Sequence, residues 1–197
     1  MAVAQFGETT TERLLVRPLL SEDLPALLDV NGDAEVTRYL PYETWRGVED
    51  AQAWLARMQR FEANGDTRQL VAVRRSDGRA IATILLFRYE EASARAELGY
   101  AMARACWRQG LAHEAVAATL EVAFTRMGIR RIEAEVDPRN TASCALLERL
   151  GFHREGLLRE RWVTRGEAHD VIAFGLLARD WMADRQAARN DGGRRQA

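Results

Sequence analysis

The chain has 197 residues, enough for one domain with a core of its own, and 47% hydrophobic with 29% charged residues is the balance of a folded rather than a disordered chain. A formal net charge of −1 excludes broad electrostatic binding of nucleic acid, which needs a basic footprint. No apolar run is long enough to span a bilayer, and MAVAQFGETTTERL at the start lacks a basic region followed by an apolar stretch. Cys106 and Cys144 form no ligand-spaced or redox pair, and His113, His153 and His169 have no metal-binding spacing. A cytoplasmic protein with no metal, nucleic-acid or membrane partner is therefore expected.

In chain order, RLLVRPL (13–19) reads as a first strand. Ser21 then serves as the expected N-cap of a helix whose stripe is Leu24, Leu27 and Leu28. A second helix is predicted over 48–64, with Val48, Ala51, Leu55, Met58 and Phe61 near one face and Asn64-Gly65 as its stop. Strands at 70–75 and 80–89 flank Asp77-Gly78, a hairpin signal, and a further strand covers 94–103. A long helix over 110–127 buries Val116, Leu120, Ala123, Phe124 and Met127. RIEAEV (131–136) alternates as a strand does, Pro138 and Asn140 turn the chain, and a helix runs to Leu150 before Gly151. Two strands to Leu177 surround a turn at Arg165-Gly166-Glu167. Residues 10–180 thus read as one domain, with 181–197 as a flexible tail. The order β-α-α-β-β-β-α-β-α-β-β predicts an α/β (α+β) fold, a mixed and mostly antiparallel sheet flanked by helices.

Two segments carry chemistry. The first, Trp107-Arg108-Gln109-Gly110-Leu111-Ala112-His113-Glu114-Ala115, joins a strand to the amphipathic helix. Unpaired N–H groups at a helix start, with the positive end of its dipole, suit a phosphate. Gly110 lets a ligand approach the backbone, and Ala112 is small. The segment lacks the Gly-Lys-Ser/Thr ending of a P-loop and the three glycines of a dinucleotide fingerprint. The second runs from Asn140 through Ser143 and Glu148 to Gly151-Phe152. Taken alone, Gly110 is an ordinary tight turn, Asn140 an N-cap, and Ser143 a hydroxyl bonding back to the preceding turn.

Together these segments resemble the GNAT acetyltransferase superfamily. Gly110 and Ala112 match its pyrophosphate motif, with Trp107 in the place of the leading Gln/Arg. That variant, with Ala96-Glu97-Leu98-Gly99-Tyr100 before it and Asn140, Ser143, Glu148, Gly151 and Phe152 after it, is similar to the RimJ/RimL ribosomal-protein branch. The likeness extends from TERLLVRPL (11–19) through Glu155-Gly156-Leu157-Leu158-Arg159 to Gly166-Glu167 and Asp170. It implies acetyl-CoA as cosubstrate, lying between two splayed parallel strands, here 94–103 and 131–136. The amides of Gln109, Gly110, Leu111, Ala112 and His113 would hold the pyrophosphate, and Asn140 the pantetheine arm. Arg104, Arg108 and Arg139 are candidates for the ribose phosphate.

The resemblance also implies direct attack of an amine on the thioester. A backbone N–H near Met102 would stabilise the developing oxyanion. Glu97 is the first candidate for general base, with Glu133, Glu135 and Glu160 as alternatives. The tyrosine that many of these enzymes use as acid is replaced by Leu147, so Ser143 is the candidate donor to the leaving thiolate, whereas Cys144 reads as core. The segment 39–45, with Tyr39, Tyr42 and Trp45, and the hairpin around Trp162 and His169 would either wall the acceptor or close the core. A protein N-terminal α-amine, a small amine (an aminoglycoside, a polyamine or an amino-acid derivative), and silent acyl-CoA binding are the three functional alternatives. A monomer and a homodimer are both compatible with the sequence.

Overall fold

The computed structural model describes residues 3–194, with only the backbone described for residue 4 and for 188–194. In chain order the strands and helices are β1 (Thr9–Thr10), β2 (Leu14–Pro18), α1 (Leu24–Asn31), α2 (Ala34–Thr37), α3 (Val48–Ala63), β3 (Arg68–Arg74) and β4 (Arg79–Glu90). Then follow β5 (Arg95–Met102), α4 (Leu111–Thr125), β6 (Arg131–Val136), α5 (Thr141–Arg149), β7 (His153–Thr164), β8 (Glu167–Leu177) and α6 (Ala178–Arg194). Among the described residues the strands form one sheet in the order β1-β2-β3-β4-β5-β6-β8-β7. Every pairing is antiparallel except β5 with β6.

Side chains alternate between the faces of a strand, and both faces here are covered. In β3, Leu70 and Ala72 join the core under α4, α5 and α6, whereas Val71 and Val73 join the core under α1 and α3. Both sets are fully or nearly fully buried, which explains the unbroken apolar run LVAV. The same alternation in β5 puts Leu98 and Met102 on the α4–α5 face and Ala101 on the α1–α3 face.

The elements differ from expectation in several places. Ser21 opens a short 3-10 turn rather than capping α1, and Asp23 faces inward. Its carboxylate accepts both Arg17 guanidinium N–H groups at 2.8 Å and the Leu20 N–H at 2.9 Å, tying β2 to the helix entrance. In α3 the buried residues are Ala51, Trp54 and Met58, while Val48 and Phe61 are exposed. Trp54 draws the buried stripe to its own side by packing on Trp45, with ring centroids 5.2 Å apart. β1 and α2 were too short to show a period. The segment after Trp181, expected as a tail, is helical through Arg194, and Trp181 is buried against Phe124. Residues 195–197 lie outside the described residues.

Candidate active site

The sheet opens where the parallel strands part. β5 and β6 pair only from Arg95–Glu97 to Arg131–Glu133, and the remainder of β5 has no strand on that side. Ala103 N–H donates to Ile81 at 2.9 Å, so by the antiparallel alternation residues 99 and 101 also bond β4. The N–H and C=O of Tyr100 and Met102 therefore face the gap. The Met102 carbonyl is taken by Trp107 Nε1 at 2.8 Å, which leaves the Met102 N–H as a donor aimed into the opening.

At the end of β5 the chain turns through Gly110 into α4. Gly110 sits at φ +77°, a left-handed conformation that suits glycine, and has no side chain to cap the helix. The first-turn N–H groups of Leu111, Ala112 and His113 have no intrahelical acceptor and point out of the helix start. A clamp from the β1–β2 loop holds this turn. Glu114 accepts Thr11 Oγ1 at 2.6 Å, Arg13 N–H at 2.9 Å and Arg13 Nε at 2.6 Å. Arg13 Nη1 also donates to the Gln109 carbonyl at 2.9 Å. Burial raises the Glu114 carboxyl, but these donors outweigh it and hold it below its ordinary value. Burial, helped by Arg149 and Arg185, pushes the His113 imidazole down, so it is neutral at pH 7.

Across the gap, Asn140 ends the loop after β6 and caps α5, its side-chain oxygen accepting Ser143 N–H at 3.1 Å. Ser143 does not bond back to the preceding turn. Its Oγ lies 2.7 Å from the Tyr100 hydroxyl on β5. Burial pushes the Tyr100 phenol above its ordinary value, so it keeps its proton. Cys144 is core, as expected, and Leu147 is fully buried in the same cluster.

The other face of the opening carries the carboxylates. Glu97, Glu133 and Glu135 share one side of the sheet by alternation, opposite Tyr100. Glu97 is mostly buried and accepts Arg88 Nη1 at 3.1 Å on each oxygen. Arg88 reaches it from an irregularity in β4 at φ +52°. Glu135 accepts Arg161 Nε at 3.1 Å and Trp162 Nε1 at 3.0 Å. Glu133 is caged by Arg95 at 2.5 Å and Arg131 at 2.7 Å and does not line the cleft. Burial raises its carboxyl, but the two arginines hold it low, which makes a poor base. Glu160 is exposed on β7 and also lies outside the cleft.

These parts line one open cleft of about 1930 Å³, larger than the ~300–1,000 Å³ of an ordinary small-ligand pocket. It brings together Glu97, Met102, Gly110, Ala112, His113, Asn140 and Ser143. The side chain of Leu111 is core instead, and that of Gln109 turns back to the Ala105 carbonyl, so both offer only main chain. Tyr39, Tyr42 and Trp162 line the cleft, whereas Trp45 belongs to the core. Arg104 pairs with Asp33 at 2.7 Å in a separate hollow, away from the cleft. Arg139 is committed to Asp137 at 2.6 Å, lies over the Tyr39 ring and meets His169 Nδ1 at 3.2 Å.

Residues 13–153 match the family model of the acetyltransferase (GNAT) domain, which is most of the chain. The chain belongs to the GNAT acetyltransferases. It is 33% identical over 171 residues to a Bacillus licheniformis protein called uncharacterized N-acetyltransferase p20, covering 87% of this chain and 96% of that one. It is 28% identical to the ribosomal protein uS5 alanine N-acetyltransferase of Escherichia coli, covering 89% and 93%. The spermidine N-acetyltransferase of Vibrio cholerae, solved in complex with CoA and spermine, shares the fold at a TM-score of 0.76 with 20% identity, covering 87% and 99%.

A GNAT N-acetyltransferase draws on acetyl-CoA, and the residues present fit that group. The uncapped start of α4, the side-chain-free Gly110 and the stretch of β5 unpaired to β6 all line the same cleft. Thr11, Arg13, Tyr100 and Arg88 are parts of this site that sequence reasoning missed. Tyr100 had a signal in the Glu97-Leu98-Gly99-Tyr100 run, but only the distance to Ser143 shows its partner. No helix of the described residues is long and apolar enough to cross a membrane, and no cluster of three metal-ligating side chains occurs among them.

Proposed function

We propose that this GNAT enzyme transfers an acetyl group from acetyl-CoA to the α-amine of a protein N-terminus. The observation that carries the choice of acceptor is the charge pairing in the cleft. Glu97, Glu135 and Asp137 are each matched by an arginine: Arg88, Arg161 and Arg139. A polycation needs uncompensated acids to offset its desolvation, and among the described residues the cleft-lining carboxylates beside Tyr39 and Trp162 all have an arginine within 4 Å, Glu35 included, which meets Arg38 at 3.7 Å. A peptide N-terminus brings one ammonium and a train of amides, which suits paired charges and the aromatic walls of Tyr39 and Trp162. Its amine, with a pKa of about 7.7–8.0, is already partly neutral at pH 7, so a modest base suffices. The 28% identity to the uS5 alanine enzyme supports the same acceptor, whereas the spermidine enzyme shares the fold alone.

Acetyl-CoA supplies the activated acyl thioester. In this reading the main-chain N–H groups around Gln109 to His113 hold its pyrophosphate. The Asn140 side-chain oxygen caps α5, and its NH₂ group, which has no hydrogen-bond acceptor among the described residues, would meet the pantetheine arm. Glu97 takes the amine proton, directly or through a water. The Met102 N–H stabilises the charge that develops on the acetyl oxygen. Ser143 donates to the departing sulfur. The two buried free thiols fit a reducing cytoplasm.

The test is an acceptor screen followed by release of free CoA. Peptides beginning with Ala or Ser are set against spermidine, an aminoglycoside and free amino acids. The expected result is a kcat/KM for one of the peptides at least ~10-fold above every small amine. Turnover confined to small amines refutes the assignment.

A further inference from the structure

We propose that Tyr100 is a positioning residue that turns the Ser143 hydroxyl proton toward the coenzyme sulfur. The proposal rests on the reading of Ser143 as donor to the leaving thiolate. Tyr100 stands three residues beyond Glu97, the last β5 residue paired to β6, so the contact is made across the open gap. Its hydroxyl is 2.7 Å from Ser143 Oγ, and both residues line the cleft. Ser143 is otherwise fixed through its N–H, which donates to Asn140.

The direction of the bond follows from chemistry. By geometry either hydroxyl can donate; because a phenol is a much stronger acid than an aliphatic alcohol, Tyr100 is taken as the donor and Ser143 as the acceptor. A serine oxygen has one proton. Once it accepts from Tyr100, that proton is turned away from the ring, and the cleft is the direction left open. Burial keeps the phenol protonated, which preserves the arrangement at alkaline pH. During transfer the amine nitrogen bonds the acetyl carbon, the carbon–sulfur bond breaks, and its electron pair stays on sulfur. The sulfur then takes the Ser143 proton. Ser143 recovers one from the amine's released proton by way of solvent, so Tyr100 ends as it began.

The experiment uses Tyr100→Phe, Ser143→Ala and the double variant, with steady-state kinetics and calorimetry at pH 9. CoA and desulfo-CoA are the binding probes, because desulfo-CoA lacks the sulfur that the Ser143 hydroxyl would meet. Wild type is expected to prefer CoA to desulfo-CoA, and Tyr100→Phe to lose that preference with unchanged desulfo-CoA affinity. Its kcat should fall roughly 10-fold, with KM for acetyl-CoA within about 2-fold. Adding Tyr100→Phe to Ser143→Ala should change neither number further, the mark of two groups acting as one. Retention of kcat and of the CoA preference in Tyr100→Phe, while Ser143→Ala loses both, overturns the proposal and leaves Ser143 standing. Additive losses in the double variant also overturn it. Full activity in Ser143→Ala overturns the Ser143 reading and this proposal with it. Desulfo-CoA affinity keeps a folding defect distinct from all of these.

Discussion

Gly110 shows how one backbone angle decides a site. An added Cβ would meet Arg13 Nη2 at 3.5 Å, an ordinary contact, so the obstacle to substitution is the left-handed φ of +77°. Gly110→Val should cost about 1–3 kcal/mol of local strain and reshape the turn. Acetyl-CoA affinity measured by calorimetry is expected to drop more than 10-fold; unchanged affinity would remove this turn from the coenzyme site. Glu97 carries the second prediction at this scale. Glu97→Gln leaves Arg88 a partner but no base, so kcat should fall roughly 10²-fold at pH 7 with little change in KM. Unaltered kcat transfers the role to Glu135 or to solvent. Asn140 and Gly110 were legible in the sequence because capping and turn chemistry are local to a few residues. Arg13 and Tyr100 were not, because their partners lie 96 and 43 positions away and no periodicity links them.

Elements add what single residues lack. The entrance of α4 is held by the loop between β1 and β2, two strands at the far edge of the same sheet half. Glu114→Ala would strand the Arg13 main-chain N–H without its acceptor, while Thr11 Oγ1 keeps the Leu14 carbonyl at 3.1 Å. A loss of about 1–2 kcal/mol in denaturant unfolding is expected, discounted because Arg13 is half-exposed, together with weaker acetyl-CoA binding. Stability and affinity both at wild-type values would show the clamp to be passive. The helices α3 and α4 and the strands β3 to β6 were readable from their periods. The buried face of α3 was misjudged, since the Trp45–Trp54 contact, a tertiary pairing, selects which stripe turns inward. The helix α6 was hidden for a similar reason: its sequence is polar, and its visible anchor is Trp181 against Phe124 and Glu121.

For the molecule as a whole, acid sensitivity follows from its ion pairs. Burial raises the carboxyls of Glu114, Glu133 and Asp137, but bonded donors prevail and hold each below its ordinary value, the Thr11 hydroxyl with Arg13 for Glu114 and arginines for the other two; Arg131 does the same directly for Glu155. Folded values below unfolded ones mean stability that is complete above the ordinary carboxylate range near pH 4. It is lost as pH falls through the folded values. Thermal melts should therefore decline gently from about pH 7 to pH 5, where His113, held neutral in the fold, gains its proton only on unfolding, and drop steeply below about pH 4. Asp137→Asn should lower the plateau and make the acid decline shallower. A melt that is insensitive down to pH 2 would contradict this account.

The parting of β5 from β6 has a consequence for how such an enzyme varies. The donor left at position 102 is a peptide link, present whatever residue is encoded there. A scan of side-chain replacements would pass over it and report the position as tolerant. Exchange of that one amide for an ester, which deletes the hydrogen and keeps the methionine, is the alteration that would expose its importance.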